Sequence, residues 1–131
     1  MKFISVRLIT DDITRLVQFY EHSLGINANW ATGVRRDRYK RGYTGDRQHE
    51  NAGILGTGVA VPKANKSAIL EFIVTDVDKQ YARAKEFISE IVQEPTTMPW
   101  GNRSFLFRDP DGNLVNLFTP VSPEAIKKFG S

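Results

Sequence analysis

Arg7, Glu71 and Asn116 are strongly polar side chains set in stretches that are otherwise apolar and branched. A guanidinium forks onto oxyanions and stacks on flat π systems, so Arg7 suits a carboxylate, a phosphate or a conjugated ring. Glu71 can answer Arg7 as a buried ion pair, since buried charges are normally paired. Asn116 can donate or accept beside either of them. Ser5, Phe118, Trp100 and Arg103 complete the candidate ligand-binding set, with Phe105 or Phe107 near the mouth of the site. These aromatics could equally be core, where large rings dominate. The chain has no cysteine, hence no thiolate ligand or nucleophile. His22 lies beside Glu21 and reads as a surface residue. His49-Glu50 has no second histidine at ligand spacing. No catalytic residue and no metal ligand is assigned.

Positioning these side chains requires strands. Around Asp109-Pro110-Asp111-Gly112-Asn113 stand two apolar runs, Phe105 to Phe107 and Leu114 to Phe118. Proline presets φ and glycine accepts a positive φ, which predicts a tight turn and an antiparallel hairpin. Alternation puts Leu114, Asn116 and Phe118 on one face and Val115 and Leu117 on the other. Phe3 to Thr10 and Ser67 to Thr75 also read as strands, the second with Leu70, Phe72 and Val74 on its buried face. Asp11 or Asp12, and then Asp76, can cap the helices that follow. The first carries Ile13, Leu16, Val17, Tyr20 and Leu24 and ends at Gly25. The second carries Val77, Tyr81, Ala84, Ile88 and Val92 and ends before Pro95. Strand, Asp and amphipathic helix thus occur twice, offset by 64 residues from Asp12 to Asp76.

Gly33 to Pro62 breaks the pattern, with six glycines and few apolar residues. Arg35, Arg36, Arg38, Lys40, Arg41 and Arg47 face only Asp37 and Asp46, a local excess of four over a remainder of minus one. The basic character belongs to this segment. It reads as a solvated loop, as a contact to nucleic-acid phosphates and bases, or as a stretch translated out of frame; alternating strands would be expected in its place. The 131 residues predict one domain. Module one spans about 1–62 and is irregular from 33 to 62; module two spans about 67–120, and the tail 121–131 holds a short helix with Ile126 and Phe129. No run approaches membrane-spanning length and no signal peptide stands out, so a cytoplasmic protein is expected, with no membrane partner.

The two copies resemble the paired βαβββ modules of the vicinal oxygen chelate superfamily, which holds glyoxalase I, extradiol dioxygenases and bleomycin-resistance proteins. The first copy is carried by RLITDDITRLVQFYEHSLGI. The second is carried by LEFIVTDVDKQYARAKE and PWGNRSFLFRDPDGNLVNLFTP. The resemblance implies an α+β fold, two modules whose curved mixed sheets enclose a cavity with the helices outside. Of the family's metal-ligand positions, the first strand holds Ser5, its counterpart holds Ile69, and the last-strand position, usually Glu, holds Asn116. The fourth position would fall within Gly33 to Pro62.

Those residues cannot make a zinc, iron or manganese site, which needs several His or carboxylate ligands. The reading is therefore a metal-free protein without a cofactor that sequesters or carries a small, partly aromatic or anionic ligand. It is expected to be a homodimer and not to bind nucleic acid. The alternative is a metal-dependent lyase or dioxygenase of the glyoxalase type, with metal at residues such as Glu71, Glu50 and His49. A scaffold without a competent cavity remains a third reading.

Overall fold

The elements start and stop where side chains satisfy free backbone groups. Asp12 accepts a hydrogen bond from the Arg15 N–H and opens helix α1, Ile13–Leu24. Gly25 closes it at a φ of 67°, with its N–H on the Glu21 carbonyl. The computed structural model describes residues 1–4, 6, 8–27 and 58–130. None of those between 3 and 10 is in a strand, and Phe3, Ile4 and Val6 are exposed. The strand expected there is absent among the described residues. A strand exists only where neighbouring backbone takes up its N–H and C=O groups, and the described residues of this stretch do not join the sheet formed within residues 69–120.

The second copy folds in full. Strand β1 is Ile69–Ile73, helix α2 is Val77–Ala84, and a 3-10 turn, Lys85–Phe87, leads to β2, Glu90–Thr97. Strands β3, Asn102–Arg108, and β4, Leu114–Pro120, precede helix α3, Pro123–Phe129. The Asp76 carboxylate caps α2 by accepting from the Lys79 N–H. That helix is shorter than its apolar stripe suggested. It ends at Ala84, and Val92 belongs to β2, because Ile91, Val92, Thr96 and Thr97 favour a pleated surface over a helix. Pro95 lies inside β2 and not beyond a helix. It is tolerated because β2 is an edge strand whose pairing slips between Gln93 and Thr96.

The sheet is mixed, curved and open, with order β1-β4-β3-β2, and the fold is α+β as expected. Strand β1 runs parallel to β4, and the other pairs are antiparallel. Residues equidistant from the Asp109–Asn113 turn face each other across the hairpin, from Arg108 opposite Leu114 to Asn102 opposite Pro120. The turn is fixed by Asp109. Its Oδ1 accepts from the N–H groups of Asp111 and Asn113, and its Oδ2 accepts from Asn113 Nδ2 and the Tyr20 hydroxyl, both at 2.8 Å.

Both α1 and α2 pack on one face of the sheet. Phe105, Phe107, Val115 and Leu117 are fully buried there against Phe19, Val77, Ala84 and Ile88. Tyr81, Phe105, Phe107 and Phe19 form a chain of rings with centroids 5.1, 4.9 and 5.9 Å apart. Burying one such side chain contributes roughly 1.5–3 kcal/mol. Of the residues expected beneath the second helix, Val115 and Leu117 are buried and Val74 packs partly against the core. Leu70 is half-buried and Phe72 is 38% exposed. Both sit on the edge strand, at the margin of what the two helices cover.

Gly101 ties the far end of the sheet together. Its φ is 90°, and a Cβ there would lie 2.7 Å from the Ser122 Cβ. Its carbonyl accepts from the N–H groups of Val121 and Ser122, and Ser122 caps α3 through the Ala125 N–H. The close approach seats α3 on the sheet face opposite α1 and α2, where Phe129 meets Phe118 edge-on at 5.1 Å.

Candidate functional site

The face turned away from α1 and α2 carries the polar candidates. Across it, Glu71, Asn116, Leu106 and Gln93 stand side by side on β1, β4, β3 and β2. One row over lie Ile73, Phe118, Ser104 and Thr96, and on the other side Ile69, Leu114, Arg108 and Glu90. Glu71 and Asn116 meet directly, with Asn116 Nδ2 donating to Glu71 Oε2 at 2.8 Å. A carboxylate accepts only, so this bond fixes the amide with its nitrogen towards Glu71 and its Oδ1 turned away.

Hydrogen-bond capacity is left over on this face. Asn116 Oδ1, Ser104 Oγ and Asn102 Oδ1 are buried without a hydrogen-bond partner, three of the five such atoms among the described residues. Each group left so costs about 1–3 kcal/mol. Half-buried Leu106 supplies apolar surface beside them, while Phe118 is covered by Phe129 of α3. Arg108, the cation on the same face, is already engaged: its Nη1 donates to the Gly112 carbonyl at 2.9 Å, and its Nε lies 3.7 Å from Glu90 Oε1.

The sequence-stated candidates divide. Glu71, Asn116 and Phe118 share this face, as strand alternation required. Arg103 does not, because it alternates with Ser104 and so points to the helix side. There it grips Asp78 of α2 through two bonds of 2.7 and 2.9 Å, which hold the Asp78 carboxyl below its usual range. Phe105 and Phe107 are core on that same side and not near a cavity mouth. Trp100 is in the turn between β2 and β3 and is 64% exposed, away from the polar row. Ser5, Arg7, His49, Glu50 and the basic segment from Arg35 to Arg47 lie outside the described residues. His22 is on the surface, stacked on Phe87 at 5.0 Å.

Ser104, Asn102 and Gln93 were missed from the sequence. Counting outward from the Asp109–Asn113 turn would have found Ser104, since equal distances put Leu106 opposite Asn116 and leave Ser104 one pleat away. A groove of about 440 Å³ also opens on the helix side, between α1, Phe87 and the Asp109–Gly112 turn. Two of its polar groups are spent on structure: Arg15 donates to the Pro110 carbonyl at 2.8 Å and Asp109 holds the turn. The polar row on the opposite face is the stronger candidate.

For a metal, the described donors fall short. Ile69 has no ligand atom, and Asn116 has one neutral oxygen left beside the Glu71 carboxylate. No three His, Asp or Glu side chains converge among the described residues. Two oxygens do not make a transition-metal site.

The family model of the Glyoxalase/Bleomycin resistance protein/Dioxygenase superfamily matches residues 2–117. The chain belongs to this family. Among its relatives is the uncharacterized protein YraH of Bacillus subtilis, 29% identical over 127 residues, covering 90% of this chain and 98% of that one. Solved structures share the fold, and two of them serve as examples. A glyoxalase-related enzyme from Fulvimarina pelagi superposes with a TM-score of 0.62 at 18% identity, covering 91% of this chain and 88% of that one. A family enzyme from Burkholderia phytofirmans PsJN has a TM-score of 0.62 at 16% identity, covering 88% and 96%. No helix among the described residues is long and apolar enough to cross a membrane.

Proposed function

We propose that this member of the glyoxalase and bleomycin-resistance superfamily binds a small, partly aromatic molecule on the sheet face opposite α1 and α2, without a metal ion, to sequester or carry it. The observation that supports this is the Glu71–Asn116 pair. Asn116 stands where the resemblance leads one to expect a metal-binding Glu, and its nitrogen is committed to a neighbouring carboxylate. The result is a polar recognition row on an apolar floor. We propose further that the chain works as a homodimer in the cytoplasm, and that neither nucleic acid nor a membrane is its partner. Strand β1 supports the dimer: Ile69 and Ile73, each 52% exposed, lie on a strand that pairs on one side only among the described residues.

Chelator-treated protein, screened by thermal shift against small aromatic compounds, tests the reading. The expected result is a Tm rise that grows with ligand concentration and survives chelation. Asn116→Ala should weaken the same ligand by roughly 1–2 kcal/mol, the scale of a buried hydrogen bond. Stoichiometric zinc, nickel, iron or manganese in the protein as purified would overturn the metal-free reading.

A further inference from the structure

The chemistry of the unspent atoms on the polar row narrows the ligand. Glu71 offers carboxylate oxygens, and Asn116, with its nitrogen bound, offers only Oδ1. Ser104 Oγ, on the next strand and one pleat away, can accept or donate. Asn116 and Ser104 are 8% and 2% exposed, so what they meet is desolvated. An anion placed here would face a carboxylate and a carbonyl oxygen. An ammonium group brings three N–H donors and no acceptor, matching three acceptors in number and sign.

We infer that the sheet face opposite α1 and α2 takes a ligand bearing a primary ammonium group, held by the Glu71 carboxylate, Asn116 Oδ1 and Ser104 Oγ, with its apolar part on Leu106. The inference rests on that face being the binding site. It replaces the anionic ligand expected from the sequence, which leaned on Arg103 and Arg7. Arg103 is tied to Asp78 on the other side of the sheet, and Arg7 lies outside the described residues. Arg108 does not reverse the sign, because Glu90 and the Gly112 carbonyl already hold it.

Nitrogen-15-labelled full-length chain, titrated with phenethylamine, 3-phenylpropanoate and 2-phenylethanol, separates the possibilities. These probes share a phenyl group on a short chain and differ in the charge they present, the first remaining protonated at neutral pH as a lysine amine does. Phenethylamine should shift the Asn116 side-chain amide and the β1 and β4 backbone amides and saturate by about 10 mM, an affinity of a few kcal/mol. Glu71→Gln should weaken it by about tenfold, the scale of a charge-assisted hydrogen bond. Ser104→Ala should weaken it by about threefold, and serves as the second variant if the first disturbs the edge strand. Should 3-phenylpropanoate shift the same resonances as tightly, or both variants bind phenethylamine unchanged, the ammonium assignment fails while the binding face stands. Shifts confined to residues off β1, β3 and β4, or no saturation by any probe, would end both.

Discussion

At the scale of single residues, Tyr20 shows how a buried hydroxyl links stability to pH. Burial and the Asp109 carboxylate that accepts its hydrogen bond push the Tyr20 hydroxyl well above the usual tyrosine range. In the unfolded chain it ionises near pH 10. The native state therefore keeps a proton that the unfolded state loses, and this contribution is fully present below about pH 10 and declines above it. Stability should fall above that pH by up to about 1.4 kcal/mol per pH unit from this group alone. Tyr20→Phe should remove that part of the slope and cost about 1 kcal/mol at neutral pH for the lost hydrogen bond. Urea titrations of both proteins from pH 8 to about 11 check the sign; an identical alkaline slope in the variant would show that Tyr20 does not carry it. Only part of this arrangement was legible in the sequence. The helical stripe named Tyr20 as apolar core and gave no sign that its hydroxyl reaches 89 residues along the chain to cap the hairpin turn. A contact of that separation leaves no periodic trace.

Elements were easier to read where a local rule set their limits. The caps Asp12, Gly25 and Asp76 and the Asp109–Asn113 turn stand where expected, because each depends on one side chain and its nearest backbone. The end of α2 was misplaced because helix and strand both accept a run such as Ile88, Ile91 and Val92, and the choice falls to tertiary partners. What joins α1 to α2 was not foreseen either. Arg83 donates to the carbonyls of His22 and Ser23 at 2.6 and 2.8 Å, capping the C-terminal end of α1 from a neighbouring helix, and Gln80 Oε1 steadies it at 2.7 Å. A cation there also answers the negative end of the helix. Arg83→Met should keep the stem's packing and lose the donors. Hydrogen exchange should then quicken in the last turn of α1 by roughly tenfold, equivalent to the 1–2 kcal/mol expected of such charge-assisted bonds. The β3 and β4 amides should change little. Equal acceleration in the hairpin would mean that Arg83 supports the whole sheet.

For the whole molecule, the α+β class and the family were legible because the second copy of the repeat carries nearly every positional signal of its module. The first strand was not, since pattern alone cannot supply the neighbour a strand needs. Strand parity placed Glu71 on the same face as Asn116 correctly; it was not applied to Arg103, whose side of the sheet follows only once the turn is counted through and β3 is registered on β4. The quaternary prediction belongs at this scale. Sedimentation velocity at high micromolar concentration should find a species of twice the monomer mass, and Ile69→Lys with Ile73→Lys should return it to monomer. A wild-type monomer would remove β1 from consideration as a docking edge. The two borders of the sheet are unlike in what they can join. Border strand β2 carries Pro95, which has no N–H to offer, and two slips in its pairing with β3, whereas β1 is regular from end to end. In the language of polymer chemistry the sheet of the described residues is monofunctional: it has one reactive end and one capped end. Joining two such ends would consume both, so the dimer expected above would end growth at a pair.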